Sequence, residues 1–347
     1  MGLPLSRIDE QYEIVAKIKE GGMGEIYKVR HRLLDELRIV KVLHSSLEAN
    51  NELNERFARE ARAAIRLRHP NIVQIFDFTL DDSGTGLIVM EYIRGADLKQ
   101  LIAQSQLPSI ALVVEIARQG LRALGYLHRH GFVHRDVSPD NLMLSQDVEG
   151  RPLVKVIDLG IAKQHGVDSQ LTASGIFLGK FRYSSPEHFG VQGPGGIEAR
   201  SDLYSFGLVL YELLTGKYPI RGESTSQLIG GHLFQPPCAF AESDPQHRIP
   251  QALRGAVLKT LAKSPDERFS TAEELITMLD EVRTDHPLDS TVVEEASQIV
   301  ARATGDDEAE GTAITQDALP AAPAREDAAL LETARTLVSP EASVALP

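Results

Sequence analysis

Asp136 and Asn141 stand five positions apart in the run His134-Arg135-Asp136-Val137-Ser138-Pro139-Asp140-Asn141, with the apolar Leu142-Met143-Leu144 directly behind. A short loop of this kind can hold a carboxylate beside an incoming hydroxyl and an amide oxygen on a magnesium ion, two groups that phosphoryl transfer asks of a protein. Asp136 suits the first task and Asn141 the second. Asp158 offers another carboxylate in Asp158-Leu159-Gly160 after the apolar run 153–157, although Asp before Gly is also a common turn. Lys41 adds a cation, isolated in Ile39-Val40-Lys41-Val42-Leu43, where burial without a partner would be expensive.

These groups need elements to hold them. Apolar runs at 12–18 and 25–30 flank Gly21-Gly22-Met23-Gly24 and read as a hairpin with a glycine-rich connection, and 37–43 reads as the next strand. Phe57, Ala61, Ala64 and Ile65 recur at helical spacing with Glu60 on the same face, which turns its carboxylate toward the strands and toward Lys41. Strands at 72–79 and 87–93, joined by Asp81-Asp82-Ser83-Gly84, complete an antiparallel small lobe. Beyond it the pattern turns helical. Val113, Ala117, Leu121 and Leu124 form a stripe that stops at His130-Gly131. The stretch 203–214, closed by Gly216, is apolar nearly all round and predicts a central buried helix. Ser270-Thr271-Ala272-Glu273 reads as a capping box that opens the last helix.

With 347 residues, 42% hydrophobic and 24% charged, the chain can bury a sizeable core in one large or two modest domains. Its one cysteine, Cys238, excludes an intramolecular disulfide and has no histidine and carboxylate arrangement to make it a nucleophile. No run of 18 apolar residues is present and the N-terminus lacks a signal-peptide core, so the expectation is a soluble, cytoplasmic chain without a membrane span. Residues 285–347 carry 13 Asp/Glu against three Arg, which is ten of the 13 net negative charges. The acidity therefore lies in the tail, and nucleic acid is not an expected partner. Ala, Pro, Asp, Glu and Thr dominate there, so the tail is expected to be largely disordered apart from a short helix at 292–303.

Taken together, the catalytic-loop run and the order of the other motifs resemble the bacterial, eukaryotic-like (Hanks-type) serine/threonine protein kinases. Four fixed residues at that loop spacing arise by chance in only about two in a thousand chains of this length. The resemblance implies an α+β, two-lobed protein-kinase fold. Its small lobe, about 12–93, is an antiparallel sheet with one helix, and its large lobe, about 94–282, is mainly helical. Residues 1–11 precede the domain and 283–347 follow it. The resemblance further implies ATP and magnesium, with manganese as a substitute, and protein substrates. Asp136 would be the base, Asn141 and Asp158 the metal ligands, and Lys41, oriented by Glu60, the contact to the α- and β-phosphates. Ile18, Gly21, Gly22, Met23, Gly24, Ile26 and Ile39 would surround the nucleotide, with Met90 behind it. Glu91 to Ile93 would form the adenine-holding hinge, and Asp97 would reach the ribose. Glu187, in Ser185-Pro186-Glu187, would pair with Arg268, and Asp202 would hold the catalytic-loop backbone.

The chain departs from the family pattern at several places. Lys19 replaces the first glycine of the phosphate loop, Ile39 an alanine before the lysine, and Leu159 the phenylalanine after Asp158. Ser138 stands where the family has a catalytic-loop lysine, and Lys180, in Gly179-Lys180-Phe181-Arg182-Tyr183 of the substrate-binding loop, where it has a threonine. Since the two positions adjoin in the family, the expectation is a swap in which Lys180 reaches past Ser138 to the transferring phosphoryl group. Arg135 resembles the arginine that binds an activation-loop phosphate, for which Thr172 and Ser174 are acceptors. Thr291, Thr304, Thr312 and Thr315 stand among acidic residues, as sites read by a phosphothreonine-binding partner would.

Three alternatives stand beside the serine/threonine kinase. A pseudokinase scaffold is motivated by Lys19, Ser138 and Lys180, and tyrosine specificity by the last two. A small-molecule kinase of related fold is disfavoured by Ser185-Pro186-Glu187 and Arg268, which imply a peptide platform. A transient homodimer through the small lobe is compatible with all of them.

Overall fold

The computed structural model describes residues 10–21, 24–43, 61–80, 86–104, 106–159, 181–190 and 196–309. Gly24 has φ 146°, and a Cβ there would overlap the Val42 carbonyl oxygen, so glycine alone lets β2 (Gly24–His31) start this close to β3 (Glu36–Leu43). β1 (Tyr12–Gly21) pairs with the outer side of β2, and β4 (Ile75–Leu80) and β5 (Gly86–Glu91) complete an antiparallel sheet in the order β1-β2-β3-β5-β4. Its register sets Lys41 opposite Ile26 on β2 and Ile88 on β5, and Ile39 opposite Met90. Residues 61–65 are helical and bury Ala61 and Ala64.

β4 starts three residues later than the apolar pattern suggests. Ile72 forms instead a parallel bridge to Val156 in the large lobe. The Val73 N–H donates to the Val156 carbonyl at 2.9 Å, and the Val156 N–H to the Asn71 carbonyl at 2.8 Å. The Asn71 side chain donates to Gln119 Oε1 and to the Val154 carbonyl, each at 2.8 Å.

In the large lobe, β6 (Ala96–Asp97), β7 (Leu142–Gln146) and β8 (Pro152–Val156) form a three-stranded sheet. The helices are α1 (Leu98–Ile102), α2 (Ile110–Arg129), α3 (Ala199–Thr215), α4 (Thr225–Phe234), α5 (Phe240–Ser243), α6 (Gln251–Thr260) and α7 (Ala272–Asp285). The stripe of Val113, Ala117, Leu121 and Leu124 is buried along α2, and the helix stops before Gly131 as expected. α3 is buried on every side, with Tyr204, Phe206 and Tyr211 fully enclosed, and Gly216 closes it in the left-handed region. On α7 the N-cap is Thr271, which accepts from the Glu274 N–H at 3.2 Å, one residue later than the sequence pattern places it.

The chain after residue 282 departs from the expectation. The proposed domain end falls inside α7, and α8 (Ser290–Ala309) is a 20-residue helix docked on the large lobe, longer than the 292–303 segment. Val292, Ala296, Ile299 and Val300 recur at helical spacing and are buried. Glu295 accepts from the Ser109 N–H at 2.8 Å and from Ser109 Oγ at 2.5 Å, at the N-terminus of α2. Gln146 Nε2 donates to Ser297 Oγ at 2.6 Å. An apolar stripe inside an acidic stretch is enough to seat a helix when the facing surface supplies the matching apolar residues.

Candidate active site

The β7–β8 hairpin brings the catalytic-loop asparagine and the later aspartate together. Leu142 lies opposite Val156, and the next rung is the Ile157 N–H donating to the Asn141 carbonyl at 2.9 Å. Asn141 thus ends one strand where Asp158 leaves the other. Its Nδ2 donates to the Asp136 carbonyl at 2.8 Å, so the amide oxygen is the end left to meet a ligand. Asp136, Asn141 and Asp158 are therefore gathered at one end of the small sheet.

Lys41 reaches this cluster from β3. Its Nζ lies 2.6 Å from Asp158 Oδ2, with the lysine side chain 11% exposed. Glu60, the partner expected from the sequence, lies outside the described residues, so the ion pair on view links the two lobes directly. Asp158 has φ 56° and Arg135 φ 64°, both in the left-handed region that costs a non-glycine residue energy. Leu159 is 6% exposed and, with Lys41, Asp158, Leu43, Val73, Ile75, Ile88 and Met90, lines a cavity behind the cluster.

The catalytic loop is held from below by Asp202 on α3. Its Oδ2 accepts from the His134 N–H and its Oδ1 from the Arg135 N–H, each at 2.8 Å, and Oδ2 also meets His128 Nε2 at 2.8 Å. Burial pushes this carboxyl up, but the His128 and backbone hydrogen bonds and the histidine charges outweigh it, and its pKa falls below the usual carboxylate value. Ser138 is buried beside Asp136, and its carbonyl accepts from the Asn141 N–H at 3.0 Å.

Other expected residues are placed as follows. Gly21, Gly24 and Ile26 lie at the β1–β2 end of the sheet, and Ile18 is exposed on β1. Glu91 is tied to Lys155 at 2.8 Å, and its N–H donates to the Gln74 carbonyl; Ile93 is buried just beyond it. Asp97 is the N-cap of α1, accepting from the Gln100 N–H at 2.7 Å, and burial raises its pKa. Glu187 and Arg268 form a buried pair at 2.6 Å. Gly22, Met23, Glu60, Thr172, Ser174, Lys180, Thr312 and Thr315 lie outside the described residues. His128, which completes the Asp202 cluster, carries no sequence signal beyond its place late in α2.

The donor set suits a hard divalent cation, since it offers carboxylate and amide oxygens. Among the described residues no group of three or more His, Cys, Asp or Glu could hold a metal alone. Phosphate oxygens and water would have to complete the coordination, as in magnesium-nucleotide sites. No helix among the described residues is long and apolar enough to cross a membrane.

The protein kinase domain family model matches residues 12–278. The serine/threonine-protein kinase pkn3 of Myxococcus xanthus is 37% identical over 76% of this chain and 48% of its own length. PrkC of Bacillus subtilis, a serine/threonine-protein kinase, is 36% identical over 78% of this chain and 40% of its own. The chain thus spans less than half the length of these relatives. Among solved structures, the Mycobacterium tuberculosis PknI kinase domain is 28% identical with TM-score 0.60, covering 78% of this chain and 95% of that one.

Proposed function

Because this chain belongs to the protein kinase domain family, among its bacterial serine/threonine members, we propose that it transfers the γ-phosphate of ATP to serine and threonine hydroxyls of proteins. The supporting observation is the double fastening of Asn141, by its amide to Asp136 and by its backbone to the strand that leads to Asp158. Asp136 orients the acceptor hydroxyl and takes its proton. Lys41, oriented by Glu60, contacts the α- and β-phosphates. Asn141 and Asp158 would hold magnesium, which would supply positive charge to the phosphate oxygens. Ile18, Ile26, Ile39, Met90 and Ile93 enclose the base, while the backbone of Gly21 to Gly24 covers the phosphates. The proposed role of Lys180 is to supply the transferring group with the charge that Ser138 leaves out of the loop.

Regulation follows from Arg135. Its Nε is buried and has no hydrogen-bond partner among the described residues, which suits a phosphate on Thr172 or Ser174. Thr291 is exposed at the start of α8 and Thr304 is 6% exposed within it, so Thr291 is the better site for a phosphothreonine-reading partner.

The test is incubation with magnesium and γ-labelled ATP beside Asp136→Asn and Lys41→Ala, with phosphate mapped by mass spectrometry. Label present in the wild type and lost in both variants is expected. No label on the chain or on a generic acceptor, with ATP still bound, would overturn the reading in favour of a scaffold.

A further inference from the structure

Beneath the segment that follows Lys180, four side chains from separate elements form one hydrogen-bonded chain. Lys263 Nζ lies 3.4 Å from Tyr204 Oη on α3, and Tyr204 Oη lies 3.0 Å from Nδ1 of His232 on α4. His232 Nε2 lies 3.0 Å from Tyr218 Oη, and the Tyr218 hydroxyl donates to the backbone carbonyl of Arg182. Tyr204 and His232 are fully buried.

Chemistry fixes the direction of every bond. A carbonyl only accepts, so Tyr218 spends its single proton on Arg182. Tyr218 Oη has then only lone pairs left for His232, and the Arg182 carbonyl takes a hydrogen bond from the His232 ring as well, so the imidazole proton sits on Nε2, shared between the two oxygens. A neutral ring with that proton accepts at Nδ1, and Tyr204 supplies the donor. Lys263 has only donors, and Tyr204 Oη receives one of them. Burial and the Lys263 charge hold the His232 pKa at about 3, so the ring stays neutral, as the chain requires.

The chain ends on a segment anchored by three more contacts. The Arg182 guanidinium lies 3.9 Å from the Tyr218 ring centroid and pairs with Glu212 at 2.8 Å, and Tyr183 Oη donates to Glu212 at 2.5 Å. Glu212 and Tyr204 both belong to the rigid α3, whereas His232 brings in α4.

We propose that His232 is a positioning residue for the acceptor-binding segment at Arg182 and Tyr183, and that it acts by holding the Arg182 carbonyl from Nε2, directly and through the Tyr218 hydroxyl that donates to the same oxygen. The role assigned to that segment rests on the protein-kinase reading above. His232 touches neither ATP nor the reacting atoms. Its loss therefore shifts binding of the protein acceptor and spares binding of the nucleotide.

The experiment compares the 347-residue wild-type chain with His232→Gln, His232→Asn, His232→Leu and Tyr218→Phe. Myelin basic protein is the acceptor, and hydrogen exchange is followed at the 181–185 amides. Gln can place a donor near the Nε2 position, whereas Asn reaches only the Nδ1 position and Leu offers neither. Loss of one such hydrogen bond predicts an acceptor KM raised about five- to tenfold in the Asn, Leu and Tyr218→Phe variants, with the ATP KM within about twofold. Exchange at 181–185 rises in the same three, and His232→Gln stays near wild type. A double His232→Leu, Tyr218→Phe variant is no worse than either single change. Wild-type acceptor KM and exchange in folded Tyr218→Phe overturn the proposal, as does a parallel rise in both KM values. If wild type transfers no phosphate to any acceptor, the kinase reading fails, and exchange alone then decides the anchor.

Discussion

Asn141 donates its Nδ2 hydrogen to the Asp136 carbonyl at 2.8 Å, so the amide that turns its oxygen toward a metal also fixes the backbone of the proposed base. Asn141→Ala removes both contributions. Turnover is expected to fall about 10²- to 10³-fold, as for loss of a preorganised electrostatic contact, with a higher magnesium requirement. Label incorporation across a magnesium titration measures both.

Asp202 supports the same loop by accepting from two backbone N–H groups and His128. Asp202→Ala orphans buried donors next to the left-handed Arg135, and is expected to cost about 3–5 kcal/mol in denaturant unfolding. The lowered pKa gives a pH signature. Its stabilisation is present above the unfolded value of 3.8 and is lost as pH falls through the lower folded value. Asp202→Asn removes that acid-limb contribution, which unfolding free energies measured down to pH 3 would register.

Burial and the Lys263 charge lower the His232 pKa on folding. The unfolded chain binds its proton near 6.5 and the folded chain only near 3, so the contribution is full above 6.5 and is lost toward pH 3. Unfolding free energy against pH should be flatter for His232→Gln than for wild type across that window.

Arg268 meets Glu187 and also donates to the carbonyls of Ala262, Lys263 and Arg200. A lysine cannot span four acceptors. Arg268→Ala is expected to lower stability by about 3–5 kcal/mol, and Arg268→Lys is expected to restore less than half of it in the same denaturation measurement.

α8 is tested at Ile299, which is 5% exposed. Ile299→Ala is expected to cost about 2–4 kcal/mol, although the residue lies beyond the family match, and Glu295→Ala about 1 kcal/mol through the lost Ser109 contacts. Full stability in both, measured by chemical denaturation, would mean that the helix adds nothing to the lobe.

The candidate site was legible in the sequence where one residue type has one use. Asp136, Asn141 and Lys41 were readable because a short loop or an apolar strand leaves their polar groups few other purposes. The Asp158 partner of Lys41 was less so, since a contact across 117 positions carries no local pattern. α8 was legible in part, since Val292, Ala296, Ile299 and Val300 suggest a helix at 292–303, but the acidic composition around them hid its full extent, Ser290–Ala309, and its docking on the large lobe. The His232 chain was unreadable for a related reason. Four polar side chains from four segments have meaning only once the helices have packed.

The bridge of Ile72 to Val156 redraws the boundary between the two lobes. Val156 is a rung of β8 and the bridge to Ile72, while the Arg68 N–H donates to Tyr126 Oη and Asn71 to Gln119 on α2. Residues 68–73 are thus hydrogen-bonded into the large lobe, although along the chain they precede the crossing after Glu91 by about 20 positions. The small sheet is therefore joined to the large lobe at two places, the crossing after Glu91 and the strand entering β4, and the Lys41–Asp158 pair spans the gap between them.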